Sequence, residues 1–297
     1  MRIKEIAGLT LLACSSLAYA QQGKPDGFGT ALPPGLTANT LVALIAPGRD
    51  ASLATLVGAK TWPYRANSFV VIACFSRSKK EFASDRQSRK EPSCEKYDQP
   101  GQAPDYLDKP VYLGVVEYQA GSAGTTLVAS YGKPYDIKTS WKFSGIEGPE
   151  GKFNTPGSED SDLMPEEYRR FDVARYQITP TETAIGLRLG WHDAYAGGAA
   201  SFEALSLFRI DGGKLVNILS EPISFHKDLA GERNKDGTRE RDVSEDQNVL
   251  SVLPSKTNGY ADLQMKTLKS KWKQVFVWDS KAARYMPLQS APATKKH

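Results

Sequence analysis

Cysteine and histidine are scarce in this sequence: three of each in 297 residues, Cys14, Cys74 and Cys94, and His192, His226 and His297. A zinc centre of the usual kind draws its ligands mainly from those two residue types, and this supply does not furnish one. No glycine-rich phosphate loop is present, and no serine sits in a G-x-S-x-G elbow, so the patterns of nucleotide chemistry and of α/β-hydrolase chemistry are both missing. No cofactor is expected. Charge of one sign is lacking too. Lys and Arg number 38 against 34 Asp and Glu, and so dispersed a balance leaves no nucleic-acid footprint. Beyond the first twenty residues no stretch approaches the ~20 apolar residues of a membrane-spanning helix.

What is present begins with a leader. Arg2 and Lys4 precede an apolar run from Ile6, and Ala18-Tyr19-Ala20 precedes Gln21, the layout of a secretory signal peptide over 1–20. Leu11-Leu12-Ala13-Cys14 offers a competing reading, a lipoprotein acylated at Cys14. Either places the chain in the periplasm or outside the cell. Cys74 and Cys94 are then an even pair in an oxidising compartment and are expected to form a disulfide. The bond would tether the charged segment between them, worth about 3 kcal/mol for a loop of roughly 20 residues in the chain-entropy model. Basic residues gather at 77–90 and 266–273, where they suit an anionic surface of lipid head groups or polysaccharide; solvated loop faces account for them equally well.

The patterning points to a mainly β fold, an antiparallel sandwich or a small propeller-like arrangement of hairpins with one or two short helices. The meander at 173–221 is its centre: Ile185, Leu187 and Leu189 alternate with Gly186 and Arg188, and Asp211-Gly212-Gly213 supplies a tight hairpin turn. Short β-branched or aromatic runs at 68–75, 110–118, 125–131 and 135–143 read as strands, with a hairpin turn at 121–124. A weak echo between 207–211 and 275–279 suits either a twofold-built sandwich or propeller blades. One helix is expected after an Asp50 cap, on the spacing of Leu53, Leu56 and Val57, ending at Gly58, and one helical turn at 163–170 with Pro165 near its start. The lead-in 21–36 reads as irregular, 37–297 as a single β-rich domain with a possible seam near 146–162, and the charged stretch 226–248 as an exposed loop.

The candidate contact surface is a loop carrying Trp191, His192, Asp193 and Tyr195 ahead of Gly197-Gly198. A Ser-His-Asp set can be written with Ser201, but adjacent His and Asp side chains diverge on an extended chain. Glu232, Asn234, Asp236 and Gly237 imitate the start of a calcium loop over 232–243, yet Val243 stands where the closing acid is needed, and Arg233, Lys235, Arg239 and Arg241 oppose a cation. The acids Glu159, Asp160, Asp162, Glu166 and Glu167 read as a solvated run. Five tryptophans, Trp62, Trp141, Trp191, Trp272 and Trp278, would suit carbohydrate stacking only if several shared an exposed face. The reading is an exported envelope protein, a non-catalytic binding or structural module for an envelope protein or polysaccharide. The alternative is a periplasmic hydrolase cleaving polysaccharide with a carboxylate pair, and a third is a tethered lipoprotein component of a larger assembly.

Overall fold

The computed structural model describes residues 26–88, 91–94, 109–119, 121, 124–149 and 162–288; the leader with Cys14, and Glu159 and Asp160 of the acidic run, lie outside them. The chain is mainly β with two helices and a large, mostly antiparallel sheet, consistent with a sandwich. Strands β1 (Ala54–Thr61), β2 (Ser68–Phe75), β3 (Val111–Tyr118) and β4 (Thr125–Ser130) form one meander. A two-residue pair, β5 (Thr139–Ser140) with β6 (Asp162–Leu163), follows. The second meander is β7 (Glu167–Gln177), β8 (Thr183–Tyr195), β9 (Gly198–Asp211) and β10 (Lys214–Arg233), and the third is β11 (Arg239–Thr257), β12 (Tyr260–Thr267), β13 (Lys273–Asp279) and β14 (Arg284–Pro287).

Alternation along β7–β10 sends side chains to two different cores. Leu187, Leu189, Trp191, Phe202 and Phe208 face β1–β4, while Leu205, Leu207, Ile218 and Ile223 face Leu263, Met265, Phe276 and Trp278 of the third meander. A third cluster lies under helix α1 (Ala38–Ile45), where Leu41, Val42 and Ile45 cover Val71, Ala73 and Val116. Burying each such side chain contributes roughly 1.5–3 kcal/mol. β10 is the junction: it pairs with β9 from Lys214 to Asp228, meets β4 at Ser130 opposite Lys214, and takes β11 beside its second half. The unpaired edges of β1 and β7 are closed by the lead-in. Ala59 N–H donates to Gly29 carbonyl and Phe171 N–H to Gly27 carbonyl, both at 3.0 Å, while Phe28 stands edge-on to Phe171 at 5.3 Å. Gly58 permits this, since a Cβ there would lie 2.6 Å from the Phe28 carbonyl oxygen.

Several expectations are corrected. Asp50 does cap, accepting from Ser52 N–H at 2.9 Å, but only a single 3-10 turn, Ala51–Leu53, before β1 begins. Leu56 and Val57 therefore face opposite sides of a strand, Leu56 in the first core and Val57 toward the α1 side; the β2 ladder overrides their helical spacing. The real helix, α1, is capped one segment earlier by Thr37, whose hydroxyl oxygen accepts from Thr40 N–H at 3.2 Å. The expected helical turn at 163–170 is β6 and the start of β7, and of the run 135–143 only β5 is strand. The lead-in holds no helix or strand over residues 26–36, yet Phe28 packs in the first core and Leu36 in the third. The charged segment after Cys74 carries helix α2 (Lys79–Ser88), and the Cys74–Cys94 disulfide is formed, Cα–Cα 5.5 Å, with Cys94 buried in the first core. The stretch 226–248 is no loop but a two-stranded ribbon of β10 and β11, turning at 234–238. Lys227 near its base is buried against Glu147; from residue 232 to 245 the charges lie on both faces because water reaches both.

Candidate functional site

Residues 191–195 belong to β8 rather than to a loop, and the strand splits the four expected contact residues between its faces. Trp191 has 0% of its surface exposed; its indole N–H donates to Met164 carbonyl at 2.7 Å and its ring meets Trp141 edge-on at 5.3 Å. Ligand contact is closed to it. Asp193 is buried beside it, and Tyr195, partly buried against the same core, donates to the Asp193 carboxylate at 3.5 Å. Only His192 turns outward.

Outward, His192 opens a polar row. The register sets His192 opposite Ser201 of β9, Ser201 opposite His226 of β10, and His226 opposite Glu245 of β11, so all four share one face of the sheet. A carboxylate backs each imidazole: Glu167 lies 3.3 Å from His192 Nε2, and Glu245 lies 3.3 Å from His226 Nδ1 while also taking Lys269 at 3.3 Å. The next row runs Gly190, Glu203, Ser224, Gln247. Gly190 is bare for a reason, because a Cβ there would sit 2.6 Å from Glu167 Cγ, and the absent side chain leaves room for the Glu167 and Arg169 side chains. Glu203 is nearly buried and accepts from Arg169 and Arg170 at 3.3 Å and Arg188 at 3.1 Å. Burial by itself would raise the Glu167 pKa, but the hydrogen bond from His192 and the charge of Arg169 hold it below its ordinary value. Asp172 is treated alike, burial being outweighed chiefly by the Arg188 charge.

Ser201, His226 and Glu245 of the first row and Ser224 and Gln247 of the second floor a groove of about 320 Å³, at the lower end of the ~300–1,000 Å³ of small-molecule sites. Ser201, Ser224 and His226 line it from β9 and β10, Glu245, Asp246 and Gln247 from β11, and Arg169, Leu268 and Lys269 complete the wall. Ser201, His226 and Glu245 stand in the order of a serine relay, with the carboxylate on Nδ1. Ser201 nevertheless makes no hydrogen bond to either imidazole. Two carboxylates and the aromatic Phe225 also share this groove, as a carboxylate-pair hydrolase requires, but hydrogen bonds from Lys269 and His226 keep the Glu245 pKa below its usual value, the wrong direction for a general acid. Glu221, pushed up to about 8 by burial, is the carboxyl whose pKa suits an acid, and it does not line the groove.

At the ribbon turn Asp236 accepts from Thr238 N–H at 2.9 Å and Thr238 hydroxyl at 2.7 Å, and no group of three or more His, Cys, Asp or Glu poised for a metal occurs among the described residues. Trp62, Trp141 and Trp278 are buried like Trp191, and Trp272 is partly so, which removes tryptophan as an exposed stacking platform. No family model, curated protein or solved structure matches the chain.

Proposed function

We propose that this protein is exported to the periplasm or beyond and acts there as a non-catalytic binding module, with the groove across β9–β11 as its contact surface. Export rests on the leader pattern at 1–20 and is consistent with the Cys74–Cys94 bond. The observation that carries the binding reading is the groove's lining. Hydroxyls, an imidazole, an amide and charged groups alternate across three strands of the sheet, and hydrogen bonds from Lys269 and His226 lower the pKa of Glu245, one of the two groove carboxylates. Such a lining suits a hydroxyl-rich polysaccharide chain or a polar protein segment from the envelope. Replacing Ser201, Ser224 and His226 together with Ala is expected to leave stability within about 1 kcal/mol of the parent, as for surface sites, and to abolish recovery of the ligand from envelope extracts and cell-wall polysaccharide. Undiminished recovery places the contact surface elsewhere.

The Ser201–His226–Glu245 alignment favours one other reading, a serine hydrolase. A fluorophosphonate probe separates the two. A binding module stays unlabelled, whereas a label on Ser201 that His226→Ala removes would establish the nucleophile.

A further inference from the structure

Phe143 is the residue of this fold that local energetics explain least. It sits at φ 63 with 83% of its surface exposed. A bulky side chain is disfavoured in left-handed backbone, where Gly or Asn is at ease, and an exposed ring recovers nothing by burial. The turn holding it is nonetheless fixed from below. Buried Asn248 donates its amide to Ser144 carbonyl at 2.9 Å and Pro222 carbonyl at 3.0 Å, and accepts from Thr267 hydroxyl at 2.8 Å. Gly145, at φ 78, lies against the Trp272 indole, where any Cβ would collide with the ring. These two ties seat Phe143 at the end of the β12–β13 hairpin.

That hairpin end is basic, and its charges are arranged against stability. Lys266 and Lys273 stand directly opposite each other, a like-charge pair that destabilises a ladder. Lys271 is exposed in the connecting turn beside Leu268, itself 59% exposed. Lys142 lies over the Phe143 ring at 5.3 Å. None of Lys142, Lys266, Lys271 and Lys273 has an ion-pair partner among the described residues, whereas Lys269 in the same turn is held by Glu245. Strain, exposed apolar side chains and unpaired cations thus coincide at one end of the molecule, and none of the three is a gain to the folded chain in water.

We propose that this end docks on a lipid bilayer rich in anionic head groups, with Phe143 and Leu268 entering the interface and the four lysines meeting the phosphates. Lysines supply long-range attraction to such a surface and the apolar pair supplies short-range burial; a soluble polyanion would use only the first. Leu268 also belongs to the groove wall, so the docking end adjoins the proposed contact surface, but the proposal does not rest on what the groove binds.

The test uses protein purified from cells expressing the whole sequence, co-sedimented with vesicles of phosphatidylglycerol and phosphatidylethanolamine and, separately, of phosphatidylcholine. Binding to the anionic vesicles alone is expected, weakening as salt rises. Changing all four lysines to Gln should lower it by about a thousandfold. Phe143→Gly should lower it by about tenfold while raising the melting temperature, because Gly suits the backbone there; that rise shows the loss is not unfolding. The variant lacking Ser201, Ser224 and His226 side chains should sediment like the parent. Equal binding to both vesicle types, or none, overturns the proposal. So does a Phe143→Gly protein that binds like the parent while the lysine variant loses vesicles and a soluble anionic polysaccharide alike, which would mark a polyanion patch instead.

Discussion

The first half of β10, residues 214–223, and its second half, 224–233, are one continuous strand in opposite surroundings. In the first, Leu215 faces the core under β1–β4 and Ile218, Leu219 and Ile223 the core under β11–β14, so both faces are dry. A register shift between Pro222 and Ser224 then changes the parity, and Ser224, His226 and Asp228 come out on the face that carries the groove. Beyond it Glu232 and Arg233 stand in water. The first half is a strand because its side chains must be buried. The second is a strand because β9 and β11 offer its backbone two ladders, and only then can its side chains be chosen for contact with something else. Stability and recognition are thereby separated along a single element rather than between a scaffold and its loops.

The largest test of that separation uses neighbours on β8. Trp191→Ala is expected to cost about 3–5 kcal/mol, as for aromatic side chains removed from cores, and His192→Ala less than about 0.5 kcal/mol, both read by urea denaturation. Comparable losses would mean the outer row is structural and break the distinction. The next effect concerns Glu221, an acid in the dry half. Burial pushes its pKa up to about 8, Arg284 pulling it down and Asp162 adding to the rise. A carboxyl with a raised folded pKa contributes its full stability only below the unfolded value near 4.5, and that contribution drains away as pH climbs toward 8. Glu221→Gln, neutral throughout, should match the parent at pH 4 and exceed it by about 4 kcal/mol at pH 8. An advantage that does not grow with pH would show that this carboxyl is not desolvated. The smallest effect belongs to the ribbon. Replacing 232–240 with a short Gly-rich turn should shift stability by less than about 1 kcal/mol and leave the groove's ligand bound; loss of the fold would show that the wet half also carries stability.

Much of the architecture was legible because turn chemistry and alternation agree. Asp211-Gly212-Gly213 does form the β9–β10 turn, with Gly212 at φ 54 and Gly213 at φ 80, and the meander it belongs to is β7–β10. The ribbon was not legible, since a dense run of charges with no alternation reads as a loop unless the flanking ladders are known. At the site, residue type and strand parity point in different directions. Ile185, Leu187 and Leu189 alternate inward, and continuing the same parity for two more steps puts Trp191 and Asp193 with them and His192 outside; residue type suggested an aromatic contact where parity dictated core. The rest of the groove was beyond reach of local patterns. Ser201, His226 and Glu245 come together only through the register of three strands, and nothing in their sequence neighbourhoods announces that they share a row.

The seam at 27–29 has a kinetic consequence. Its two bonds join β1, early in the chain, to β7, more than half-way along it, through a segment that precedes both. Contacts of such sequence separation carry the largest loop-closure cost and are made after the local hairpins have formed. An interaction absent when the folding barrier is crossed changes the rate of escape from the native state far more than the rate of arrival. The three residues that close the seam therefore act as a brake on unfolding: weakening them shortens the lifetime of the folded protein while leaving the speed at which it folds almost untouched.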